Sequence, residues 1–202
     1  MRALLIPIAL AGPITLAGLC QAARAGDISS VYTDLDWKKD CVTYARSGQG
    51  DGDWSDVACS GYRGYPVLIA YDDNRESLFY GFPPGDMTSV WESFSGFNSA
   101  GPKVEWRVET TGDSAVPFAA IHRRSVSDAE NSDKKTEILI VAKVGQMDAR
   151  DGCTIGLVLA TGNPDANDQA RKLADEKART FACGKDRHTV IGNVPAFGRL
   201  DN

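Results

Sequence analysis

The stretch Asn163-Pro164-Asp165-Ala166-Asn167-Asp168-Gln169-Ala170-Arg171-Lys172-Leu173-Ala174-Asp175-Glu176-Lys177-Ala178-Arg179-Thr180-Phe181 holds the clearest periodicity in the chain. Ala166, Ala170, Leu173, Ala174, Ala178 and Phe181 recur at helical spacing and form one apolar stripe. Asn163 reads as the N-cap and Pro164 as the first helical position, with Asp165 at the positive end of the dipole. Gly184 reads as the stop. A one-sided helix needs an apolar surface to cover, and strand patterns precede it. The expected fold class is therefore α+β: an antiparallel β-sheet meander with a C-terminal α-helix packed on one face.

The strand patterns lie between Gly/Pro/Asp turns. Tyr65 to Tyr71 is apolar on both faces, Asp72-Asp73-Asn74 is a turn cluster, and Ser77 to Phe82 resumes a strand, so the three read as a hairpin. Val104, Trp106 and Val108 alternate with Glu105, Arg107 and Glu109, which predicts one buried face and one solvent face. Phe118 to Arg123, Glu137 to Val144 and Cys153 to Ala160 complete the meander, with a polar hairpin tip over 125–135. Met87 to Phe94 reads as a shorter helix capped by Asp86, with Val90, Trp91 and Phe94 on one buried face.

The start of the chain points to a compartment. Met1-Arg2 is basic, an apolar run from Ala3 to Leu19 follows, and Ala23-Arg24-Ala25 has the small-x-small pattern of a cleavage site. Residues 1–25 are expected to be a signal peptide and 26–202 a single α+β domain, periplasmic or secreted, with no membrane span after cleavage. Cys20 falls in the leader, and Leu19 before it is too large for a lipid-anchor site. That leaves Cys41, Cys59, Cys153 and Cys183, an even number suited to two disulfides, with three pairings open. Pairing in chain order, Cys41–Cys59 and Cys153–Cys183, is the expectation: the first closes a polar loop, the second ties a strand to the end of the helix. Without Arg2 and Arg24 the chain holds 20 basic against 27 acidic residues, a net charge of −7. Such a balance argues against nucleic acid and anionic membranes as partners.

Several pieces together resemble one family. They are Tyr32-Thr33-Asp34-Leu35-Asp36 ahead of a cysteine, and Cys59 followed by Gly61-Tyr62, Gly64 and Pro66-Val67. Val104-Glu105-Trp106-Arg107, Pro117-Phe118-Ala119, and Asn163-Pro164-Asp165-Ala166-Asn167 leading to Phe181 and Cys183 complete the set. The set is similar to a family of small exported proteins of Gram-negative bacteria that has no assigned activity. Trp37-Lys38-Lys39-Asp40 runs one residue longer than that family's pattern. The resemblance implies fold and compartment, and no function.

Candidate sites are few. Asp51, Asp53 and Asp56 sit on a Gly-rich loop, where carboxylates would suit calcium, but the loop lacks the glycine and terminal Glu of the EF-hand template and reads as a solvated turn. Asp34 and Asp36 read as local hydrogen-bonding partners. Phe79, Tyr80, Phe82 and Trp91 form a candidate ligand surface for a sugar or peptide, with Phe94 and Phe97 nearby, against the alternative of plain core. His122, Arg123 and Arg124 suggest an anion site or acid–base work, against a solvated strand end. No Gly-x-Ser-x-Gly or Cys-x-x-Cys motif is present, His122 and His188 are the only histidines, and neither a metal nor a cofactor is expected. The expected role is a non-enzymatic envelope protein that binds another envelope protein or a cell-wall saccharide. The alternative is a hydrolase working through carboxylates such as Glu105, Glu109 and Asp113.

Overall fold

The computed structural model describes residues 26–85, 90–128, 130, 131 and 133–200. The expected leader and Asp86–Ser89 lie outside the described residues. The strands are β1 (Asp27–Asp34), β2 (Cys41–Arg46), β3 (Trp54–Cys59), β4 (Val67–Asp72), β5 (Arg75–Tyr80), β6 (Trp91–Phe94), β7 (Asn98–Thr111), β8 (Ser114–Ser127), β9 (Lys135–Lys143), β10 (Cys153–Leu159), β11 (Thr189–Ile191) and β12 (Phe197–Leu200). One helix, α1 (Ala166–Lys177), precedes β11.

The expected meander is present as β7-β8-β9-β10, extended by β1 on one edge and β11 on the other. β11 runs parallel to β10, so this six-stranded sheet is mixed. A second sheet, β2-β3-β4-β5, lies over one face. The β4–β5 hairpin closes on Asp73 (φ 47°) and Asn74 (φ 58°), a two-residue turn whose left-handed positions these side chains tolerate. The two-stranded β6–β12 unit covers the end of the same face, where Phe94 and Phe197 meet Val126, Ile138, Ile140 and Leu157. The helix covers the opposite face, with Ala166, Ala170, Leu173, Ala174, Ala178 and Phe181 against Ile121, Leu139, Val141 and Ile155.

Four expectations change. The helix begins at Ala166 because Asn163 caps the turn before it: its Oδ1 accepts from the Asp165 N–H at 3.1 Å, and its Nδ2 donates to the Leu159 carbonyl at 2.9 Å. α1 ends at Lys177, so Gly184 (φ 78°) shapes a later turn. Trp91–Phe94 is strand, paired with β12, so Trp91 and Phe94 point to opposite faces; Phe94 is buried and Trp91 half-exposed. Finally, β7 has no solvent face over 104–108. Val104, Trp106 and Val108 pack on the second sheet, while Glu105 and Arg107 are only 7% and 8% exposed beneath the helix. Both expected disulfides are present, Cys41–Cys59 between β2 and β3 and Cys153–Cys183 between β10 and the segment after α1.

Candidate functional site

Alternation along β8 separates the three neighbours that sequence alone groups together. His122 and Arg124 face the second sheet and Arg123 faces the helix side. His122 is 0% exposed. Its Nδ1 accepts from the Tyr80 hydroxyl at 2.9 Å, and its Nε2–H donates to the Gly101 carbonyl at 2.7 Å, a tautomer assigned from these partners. Burial pushes its pKa down to about 4, so the ring is neutral near pH 7. Arg124 donates to the Glu76 carbonyl at 2.9 Å and to Asn98 Oδ1, and lies 3.4 Å from the Glu76 carboxylate. That carboxylate also accepts from the Ala100 N–H at 2.7 Å. Burial pushes Glu76 up, partly offset by Arg124. These groups are struts between the sheets, neither a solvated strand end nor an accessible acid–base pair.

Glu105, Arg107 and Glu109 are likewise structural. Glu105 accepts from Arg171 Nε at 2.6 Å, Arg107 holds Asp175 through two hydrogen bonds at 2.8 and 2.7 Å, and Glu109 accepts from Arg179 Nε at 3.1 Å. Two residues of strand advance about 6.6 Å and four residues of helix about 6 Å, so the two series stay in register. Burial pushes Glu105 up, but hydrogen bonds from Arg171 and Ser30 outweigh it and its pKa falls below the usual carboxylate range. The sequence carries both halves of the pattern, minus-plus-minus at spacing two on the strand and plus-minus-plus at spacing four on the helix, but it does not place one on the other.

The other face of β8 differs. β7 is irregular between Ala100 and Val104, so Gly101-Pro102-Lys103 bulges opposite Arg123. His122 pins the Gly101 carbonyl from behind, and the Leu35 N–H donates to the Pro102 carbonyl at 2.8 Å. The bulge and the first turn of α1 border an open cavity of about 220 Å³. Ile121, Leu139 and Pro102 supply apolar lining, and Tyr32, Lys103, Glu105, Arg123 and Asn167 supply polar groups, Glu105 being held by Arg171. Lys103 pairs with Asp34, and the Tyr32 hydroxyl accepts from Arg171 at 3.1 Å. Among the described residues, the half-buried Arg123 guanidinium and the exposed Asn167 amide have no partner.

The remaining sequence candidates are dispersed. Phe79 and Tyr80 are buried, Tyr80 edge-on to Trp106, while Phe82 packs on Tyr65 and Trp91 is half-exposed. Phe79, Tyr80, Phe82 and Trp91 therefore share no open ligand platform, because strand alternation sends Phe79 and Tyr80 apart. Asp51 and Asp53 lie in the β2–β3 loop, Asp53 accepting from the Tyr71 hydroxyl at 3.3 Å, and Asp56 is on β3. Among the described residues no three His, Cys, Asp or Glu side chains gather as metal ligands. Asp36 accepts from the Lys38 N–H at 2.9 Å and pairs with Lys39 at 3.2 Å; the first of these contacts chiefly lowers its pKa. No family model, curated protein or solved structure matches this chain.

Proposed function

We propose that the chain is a non-enzymatic binding protein of the Gram-negative envelope, periplasmic or secreted, in keeping with the family resemblance of its motifs. The observation that carries this reading is the division of labour across β8. The groups suited to proton transfer face inward with both hydrogen-bonding sites of the imidazole occupied, and the unpaired cation faces an open cavity. Glu105 and Glu109, two of the three carboxylates the hydrolase reading names, serve Arg171 of α1 and Arg179 just after it. Two disulfides fit an oxidising compartment, and among the described residues no helix is long and apolar enough to cross a membrane.

The test is capture of partners from envelope extract under non-reducing conditions, with the tagged full chain as bait. Recurrent recovery of one envelope protein or glycan, released intact, supports the proposal. Recovery of cleaved glycan, or of no partner, overturns it.

A further inference from the structure

Resting on that binding reading, we infer that the Arg123 cavity is a subsite for an acidic sugar, taking its carboxylate on Arg123 and its ring against Tyr32. The charge arrangement selects a monoanion. Lys103 is committed to Asp34, and Arg171 to both Glu105 and Asp168, so among the described residues Arg123 is the one cation lining the cavity without an ion pair. The guanidinium is a planar fork that matches a carboxylate with two parallel hydrogen bonds. A phosphate dianion would leave charge uncompensated in a chain whose net charge is already −5.

The rest of the lining fits a sugar. Tyr32 is 52% exposed and offers a flat apolar ring, while Ile121, Leu139 and Pro102 extend the apolar surface for the CH face of a pyranose. The free Asn167 amide offers both a donor and an acceptor to ring hydroxyls. At about 220 Å³ the cavity lies below the ~300–1,000 Å³ of drug-sized pockets, so it suits one residue, and its open mouth lets that residue belong to a longer glycan. The site is also braced: His122 holds the Gly101 carbonyl, and a Cβ added at Gly101 would come within 3.2 Å of the Arg123 carbonyl oxygen.

The experiment is an NMR titration of the ¹⁵N-labelled protein with a glucuronic acid disaccharide, the matching neutral glucose disaccharide, and the tripeptide Ala-Glu-Ala. The acidic disaccharide is expected to shift the amides of Tyr32, Lys103, Arg123 and Asn167, and to bind about 10- to 100-fold more tightly than the neutral one. Arg123→Met should lose the same factor with its melting temperature unchanged, since Arg123 leaves no partner exposed, and Arg123→Lys should fall between. Equal binding of the neutral disaccharide, undiminished binding by Arg123→Met, or tighter binding of the tripeptide would each overturn the acidic-sugar assignment. If the acidic disaccharide leaves these amides unmoved while extract capture still returns an intact partner, the subsite falls and the binding reading stands. Cleavage of the disaccharide during the titration would remove the binding reading itself.

Discussion

His122 shows what burial does to a single side chain. Tyr80, Arg124 and the Gly101 carbonyl surround it, with Glu76 beyond Arg124, and desolvation is the main reason its pKa falls to about 4. Above pH ~6.5 the ring is neutral in both folded and unfolded chains. As pH falls from about 6.5 to about 4, the unfolded chain takes up a proton that the folded one refuses. Stability conferred by His122 is therefore full above pH ~6.5, is lost across that window by on the order of 3 kcal/mol, and changes no further below it. Urea unfolding at stepped pH checks this. Carboxylates also titrate below pH ~5, so the quantity to read is wild type minus His122→Asn, which should decline from pH ~6.5 to ~4; a flat difference contradicts the buried neutral ring. Sequence placed His122, Arg123 and Arg124 together, and only the sheet's two coverings made two of them struts and left the third unpaired.

At the scale of elements, the helix approaches the sheet at Gly156. A Cβ there would lie 2.1 Å from Leu173 Cδ2, so the missing side chain is what lets the stripe of α1 seat on β10. Gly156→Ala should destabilise by about 1–3 kcal/mol through overpacking, measured by denaturant titration, and Gly156→Ala with Leu173→Ala should recover part of the loss. β6 gives a second comparison. Phe94 is 1% exposed and packs 5.0 Å from the Phe197 ring, so Phe94→Ala should cost about 3–5 kcal/mol. Trp91 is half-exposed on the opposite face, and Trp91→Ala should cost clearly less by the same denaturant titration. Equal losses would mean the helical reading of 87–94 was right and the strand wrong.

For the whole molecule, the two disulfides are not equivalent. Cys41 and Cys59 are direct cross-strand partners in a ladder that remains without the bond, whereas Cys183 follows α1 in irregular chain and is tied to β10. Chain entropy alone assigns each about 3–4 kcal/mol, so position separates them. Replacing Cys153 and Cys183 with Ala should lower the calorimetric melting temperature more than replacing Cys41 and Cys59. Sequence by itself determined the meander, the apolar stripe of the helix and the β4–β5 turn, because period and turn chemistry are local, while the structure selected one of the three disulfide pairings the sequence left open. Sequence did not determine that a second sheet lies over the first, that β7 is buried on both faces over 104–108, or that a bulge opens a cavity beside Arg123. Alternating charge is the pattern of a solvated face whenever its partner is unseen. Only the packed helix, with its complementary charges in register, turned that face inward.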